Sequence, residues 1–252
     1  MKKIYLCQNS FEGILSGVSK AWTQQKDWKN AELQLDGQER NMELFCTYEK
    51  VEEKEESANQ VLKIVYKRTS KEVCHLAWKE SCSRNPDRAD VIYRFLSQGI
   101  SCGRGIVHML QNPDVYRIFH DCRHIDNEAH LLTGFIRFSE RDGGLLVSVI
   151  GPENDVLLLL APFFADRLPE ENWVIYDEKR KKAAVHPAGG TWFLASDVWE
   201  QWEESLKKTK RQESYEDLWK IFHQSIAIRE RENPDCQRSH LPFRYRSYMT
   251  EF

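Results

Sequence analysis

Phe135-Ile136-Arg137-Phe138-Ser139-Glu140-Arg141-Asp142-Gly143-Gly144-Leu145-Leu146-Val147-Ser148-Val149-Ile150 is the stretch in which the hydrophobic period of the chain changes. Two β-prone runs flank a Gly-Gly turn, which reads as a hairpin whose first strand covers Phe135 to Phe138. Upstream, from Ala58 to about Ile125, the period is helical. Val61, Leu62, Val65 and Tyr66 share one stripe, and Val73, Leu76 and Ala77 another. Val91, Ile92 and Phe95 follow Asn85-Pro86, and Val115, Ile118, Cys122 and Ile125 follow Asn112-Pro113, where proline suits a first helical turn. Downstream, Asn154 or Asp155 caps an apolar helix from Val156 to Arg167 that contains Pro162. Three short strands follow, at Trp173–Tyr176, Ala183–His186 and Thr191–Leu194.

Working outward to the ends, the chain opens with a strand, Lys3 to Cys7. Asn9 caps a helix with Glu12 three residues on and Phe11, Ile14, Leu15, Val18 and Trp22 on one face. Residues 25–50 are polar and weakly patterned, with one strand expected around Met42 to Tyr48. The run Glu49–Glu56 is a solvated surface or the exposed start of a helix. Gly99–Gly105 reads as a flexible loop with an anion-binding option through Arg104. Near the C-terminus, Ser214-x-x-Asp217 opens a helix with Tyr215, Leu218, Trp219, Phe222 and Ile226 on one face. The fold class is α+β: a small, mostly antiparallel sheet, a helical subregion at about residues 58–125, and a C-terminal helix plus arm. Residues 1–80 form an N-terminal segment and 81–252 a C-terminal domain, packed as one globule.

The 252 residues carry a net charge of −3, which excludes a bulk polycation. Charge is unevenly spread: residues 1–66 sum to −2, 67–126 to +3, 127–206 to −7 and 207–252 to +3. Seven cysteines, an odd number without C-x-x-C, fit a reducing cytoplasm better than a disulfide framework. The longest apolar run, Val156–Phe164, is short of the ~18–20 residues of a membrane span. A soluble cytoplasmic protein without membrane partner is expected.

Three groupings suggest chemistry. His120 and His124 are four apart on a helix, with Glu128 four further, a loose version of a zinc-binding face; Asp121 stands where a zincin has Glu. No four-ligand set emerges, so neither metal nor cofactor is expected. Glu128, His130, Arg137, Arg167, Asp177 and Arg180 lie at ends or turns of the strand-rich part. They suit either a site for a phosphate-bearing or polar substrate or buried ion pairs fixing the packing. His130 and Arg137 are expected to share one cluster, with Glu128 and Asp177 as carboxylate partners. In the tail, Arg238, Arg244 and Arg246 alternate with Phe243, Tyr245 and Tyr248 and with no acid between. Forked cations beside stacking faces suit nucleic acid; the alternative is an arm anchored through its aromatics.

The opening Tyr5-x-x-x-Ser10-Phe11-Glu12-Gly13 resembles the start of a family of proteins assigned to DNA metabolism and repair, of uncharacterised biochemical activity. The resemblance continues through Glu128-Ala129-His130, Gly134-Phe135-Ile136-Arg137-Phe138, Phe164-x-x-Arg167, Trp173-x-Ile175-Tyr176-Asp177-x-x-Arg180 and Leu241-Pro242-x-Arg244-Tyr245-Arg246. It spans nearly the whole chain and is strongest from about residue 81 onward. The family often has His directly before the Phe of the Phe164 motif, where this chain has Phe163. The C-terminal domain of that family also occurs fused to uracil-DNA-glycosylase-like domains, and the stand-alone form is encoded beside a radical-SAM protein. The resemblance implies an accessory of DNA repair or modification. Such a protein is expected to bind DNA or a radical-SAM partner. If it binds DNA, the arm's Phe243, Tyr245 and Tyr248 favour unstacked bases, so single-stranded or distorted DNA is expected to bind better than duplex. The rival expectation is an enzyme acting on a nucleotide or nucleobase through His130, Arg137, Arg167, Asp177 and Arg180.

Overall fold

The computed structural model describes residues 2–25, 27–37, 44–141, 143–196, 219–222, 225 and 233–251. The chain divides into two compact units, Met1–Asp126 and Asn127–Phe252.

In the first unit, β1 (Lys2–Cys7) leads into α1 (Phe11–Gln24). The cap is Ser10, not Asn9: its Oγ accepts from the Gly13 amide at 2.9 Å. Asn9 accepts instead from the Arg88 guanidinium. Ile14, Leu15, Val18 and Ala21 bury the inner stripe of α1. After a 3₁₀ turn (Trp28–Asn30), β2 (Ala31–Leu35) pairs parallel with β1, Tyr5 opposite Leu33. β3 (Cys46–Lys50) pairs parallel on the other side, Ile4 opposite Tyr48, giving the order β2-β1-β3. This parallel sheet is absent from the sequence expectation. β2 alternates correctly, but its polar positions Glu32 and Gln34 are buried and bonded to each other at 2.9 Å, so it reads as a polar loop. The edge of β2 is closed in part by Asp90, whose carboxylate accepts from the Leu33 amide at 3.2 Å.

The helical subregion is present as α2 (Glu55–Arg68), α3 (Lys71–Ser81), α4 (Arg88–Cys102), a 3₁₀ helix (Gly103–His108) and α5 (Pro113–Phe135). The glutamate run divides between the end of β3 and the first turn of α2, where acids favour the helix dipole. Residues 99–105 belong to α4 and the 3₁₀ helix rather than to a loop. Arg104 is engaged there, donating to the Thr69 carbonyl at the end of α2 at 3.2 Å.

In the second unit, α5 continues to Phe135, ten residues past the expected end, so the hairpin starts later, at β4 (Ser139–Arg141). Gly143 and Gly144 turn the chain at φ 82° and 77°, a conformation that costs L side chains dearly, into β5 (Leu145–Ile150). α6 (Leu157–Arg167) returns the chain to β6 (Trp173–Asp177), parallel to β5; β7 (Lys182–His186) and β8 (Phe193–Ser196) follow antiparallel. The order is β4-β5-β6-β7-β8, the expected mostly antiparallel sheet. Every residue of the central strand β6 is buried, which explains its unbroken apolar run. Trp173 stacks on His186 with ring centroids 5.0 Å apart and planes 6° from parallel. Of the helix expected to open at Ser214, only residues 219–222 and 225, which are helical, are described; the rest lies outside the described residues. α7 (Pro234–His240) and α8 (Phe243–Arg246) form the arm. Among the described residues no helix is long and apolar enough to cross a membrane.

Candidate functional site

β5 and β6 run parallel, and the segment Gly151–Asp155 leaves the C-terminal end of β5. In open sheets with parallel strands, that end is where polar groups from several elements converge. Glu128, on the last turns of α5, is buried and faces this segment. Its two oxygens accept from the amides of Glu153 at 2.9 Å and Asn154 at 2.8 Å, from the Asn154 Nδ2 at 2.7 Å and from the Tyr245 hydroxyl at 3.1 Å.

Asp177, at the end of β6, is also fully buried. Its carboxylate accepts from the amides of Lys179 (3.0 Å) and Arg180 (3.2 Å) and from Arg180 Nη1 (2.9 Å), which fixes the β6–β7 turn. Burial pushes the Asp177 carboxyl above its ordinary value, against the pull of Arg180. The same guanidinium donates to the carbonyls of Pro152, at 3.3 Å, and Glu153. Lys182 holds Asp155 at 2.7 Å. The segment 151–155 is thus clamped from α5, from the β6–β7 turn and from β7.

The C-terminal arm closes over it. Tyr245 is buried, and burial pushes its phenol up to about 12. Arg244 lies over the Tyr245 ring at 4.8 Å, donates to its hydroxyl at 2.9 Å and pairs with Glu153 at 3.5 Å. Tyr248 donates to Glu178 and lies against Gly151, where a Cβ would come within 2.0 Å of its hydroxyl oxygen. Both tyrosines anchor the arm, Tyr245 from a buried position and Tyr248 from a half-buried one.

The expected cluster of His130 with Arg137 does not form. Because α5 continues past Ile125, Glu128 and His130 are two apart on a helix, about 200° around it. Glu128 therefore faces inward and His130 is exposed. Arg137 pairs with Glu251 at 2.6 Å, 114 residues away, and donates to the carbonyls of Gly134 and Ile136. Burial works to raise the Glu251 carboxyl, but the Arg137 bonds outweigh it and hold it below its ordinary value. Arg167 is exposed at the end of α6. Of the six candidates, Asp177 and Arg180 meet, Glu128 joins them through the 151–155 segment, and the other three stand apart.

Other groups of the arm are open to solvent. Phe243 is 65 % exposed and packs against the half-buried Arg246, whose guanidinium is 4.5 Å from its ring centroid. The Arg244 side chain is 42 % exposed, and Arg238, on α7, is exposed beside Asp235. Sequence reasoning missed Asn154, Glu153 and Glu251 as partners. Their roles depend on backbone amides and on contacts over 25 to 114 residues, for which local pattern carries no signal.

No curated protein matches the chain, and no solved structure does. Residues 86–251, from the start of α4 through the whole clamp and arm, match the family described as a domain of unknown function, DUF4130. This chain belongs to that family.

Proposed function

We propose that this protein is a nucleic-acid-binding accessory of DNA metabolism or repair that presents its C-terminal arm to single-stranded or distorted DNA and works with a radical-SAM enzyme. The observation carrying this reading is the exposed Phe243 ring on an arm that also exposes Arg238 and Arg244, a stacking face with cations near it in sequence. Buried Tyr245 supports it, because it fixes the arm without a disorder-to-order cost on binding. The biological setting, including the radical-SAM partner, rests on the sequence resemblance. The alternative, an enzyme acting on a nucleotide or nucleobase, is less well supported. Its carboxylates Glu128 and Asp177 have their oxygens taken up by amides, a guanidinium and a hydroxyl. The nucleic-acid contacts proposed are therefore Phe243, Arg244, Arg246 and Arg238, with Tyr245 and Tyr248 as anchors.

A salt series of fluorescence anisotropy with single- and double-stranded oligonucleotides tests this. Three arginine–phosphate contacts on a single strand give a log–log slope of roughly −2. Binding weaker for single strands than for duplex, or a slope unchanged in R238A/R246A, counts against it. Loss of binding to both DNA forms, with retained capture of the radical-SAM partner, would assign the protein as a pure adaptor.

A further inference from the structure

α5 places His120 and His124 one turn apart on an exposed face of the first unit, with their Nε2 atoms 3.1 Å from each other. The rings meet edge to face, centroids 4.4 Å apart. Two imidazole nitrogens bound to one zinc at ~2.0–2.1 Å lie about 3.3 Å apart across a tetrahedral angle and about 2.9 Å apart across a right angle. The observed separation falls between the two; without a cation it is an N–H···N hydrogen bond between the rings, whose proton the cation would displace.

The pair is also held from behind. His120 Nδ1 is 3.1 Å from Asp121 Oδ1, and the other oxygen of Asp121 accepts from Asn85 Nδ2 at 2.7 Å and from Arg117 Nε at 2.6 Å. Asp121 is nearly fully buried, so it is a fixed acceptor. A carboxylate that accepts from Nδ1–H leaves Nε2 as the bare, more basic nitrogen, the arrangement found behind metal-binding histidines. Tyr116 stacks on the outer side of His120, with centroids 6.0 Å apart, and restricts its ring further.

We infer that His120 and His124 form a two-imidazole chelate for a late first-row divalent cation such as Ni²⁺ or Zn²⁺. Glu128, which the i+8 spacing offered as a third ligand, is committed to the Glu153 and Asn154 amides. Among the described residues no group of three His, Cys, Asp or Glu side chains gathers to hold a metal. Water therefore completes the coordination, and the ion is exchangeable rather than a resident cofactor. The preference follows ligand chemistry: imidazole nitrogen selects Ni²⁺, Cu²⁺ and Zn²⁺ over Mg²⁺ and Ca²⁺. This site is independent of the proposed nucleic-acid surface.

The test is a calorimetric titration of Ni²⁺ and, separately, Zn²⁺ into the full chain, treated with chelator and kept reduced. It is done in a C236S/H240Q background because Cys236 and His240 form another i,i+4 pair, 3.6 Å apart. One equivalent is expected to bind, at least about tenfold more weakly in H124Q and not detectably in H120Q/H124Q. H130Q, an exposed histidine on the same helix, should leave binding unchanged. All these positions are exposed, and circular dichroism confirms that the variants fold. Absence of binding in the parent, or equal binding in H120Q/H124Q, overturns the inference.

Discussion

Replacing Glu80 by glutamine should stabilise this protein at neutral pH, although the side chain is buried and polar. Glu80 lies in α3, fully excluded from solvent, and neither of its oxygens has a hydrogen-bond partner. Burial first, then the carboxylates of Asp121 and Asp87, push its carboxyl up to about 9, against Arg117 and Arg88. At pH 7 the folded protein therefore keeps a proton that the unfolded chain releases. A folded value above the unfolded one means that the contribution to stability is intact below about pH 4.5. It is then lost progressively as pH rises toward 9. At 1.36 kcal/mol per unit, holding that proton at pH 7 costs roughly 3 kcal/mol, an order-of-magnitude figure. Glutamine has nearly the same shape and no proton to hold, so E80Q is expected to recover much of it. Urea denaturation of both proteins at about pH 5, 7 and 8.5 should show a gap that widens with pH. If E80Q is instead less stable at pH 7, with a gap independent of pH, Glu80 is ionised and partnered, and the reasoning is refuted.

Glu128→Ala strands two backbone amides, the Asn154 side chain and the Tyr245 hydroxyl, and should destabilise by about 2–4 kcal/mol in the same assay; a loss below about 1 kcal/mol would mean that water replaces the carboxylate. Gly151→Ala drives a methyl into Tyr248 and should cost about 1–3 kcal/mol. The double variant G151A/Y248A should lose less than the sum of the two single changes, and additivity would place Tyr248 elsewhere. Arg137→Ala removes the charge that holds the Glu251 carboxyl low. That pair's contribution is present above the ordinary carboxylate range and lost on acidification, so R137A should have a flatter acid limb than wild type.

Much of the second unit is legible in the sequence because its signals are local. Gly143-Gly144 marks the hairpin, and Trp173–Asp177 is apolar without a break because both faces are covered. The first unit is less legible. β2 hides because Glu32 finds Gln34 and Lys2 as partners inside the fold, and burial of bonded polar groups leaves no hydrophobic trace. The end of α5 is misplaced because the β-prone run Phe135–Phe138 pulls the expected boundary back, whereas the helix runs on through Asn127 and Gly134 to Phe135. That single boundary decides the site: on a continuing helix Glu128 and His130 cannot face the same way. The residue types of the site were legible and their partners were not. Arg137 finds its carboxylate at the far end of the chain, and Tyr245 serves as an anchor because its hydroxyl reaches Glu128, whereas Phe243, two residues earlier, stays outside.

The proposed role of the arm is tested most directly by Phe243→Ala, which removes a largely exposed ring that packs on the Arg246 guanidinium. Single-stranded oligonucleotide affinity, read by anisotropy at low salt, should fall by the ~1–3 kcal/mol of one stacked base, about five- to 150-fold, with the melting temperature unchanged. Equal affinity of F243A and wild type at equal stability would contradict a nucleic-acid role for the arm.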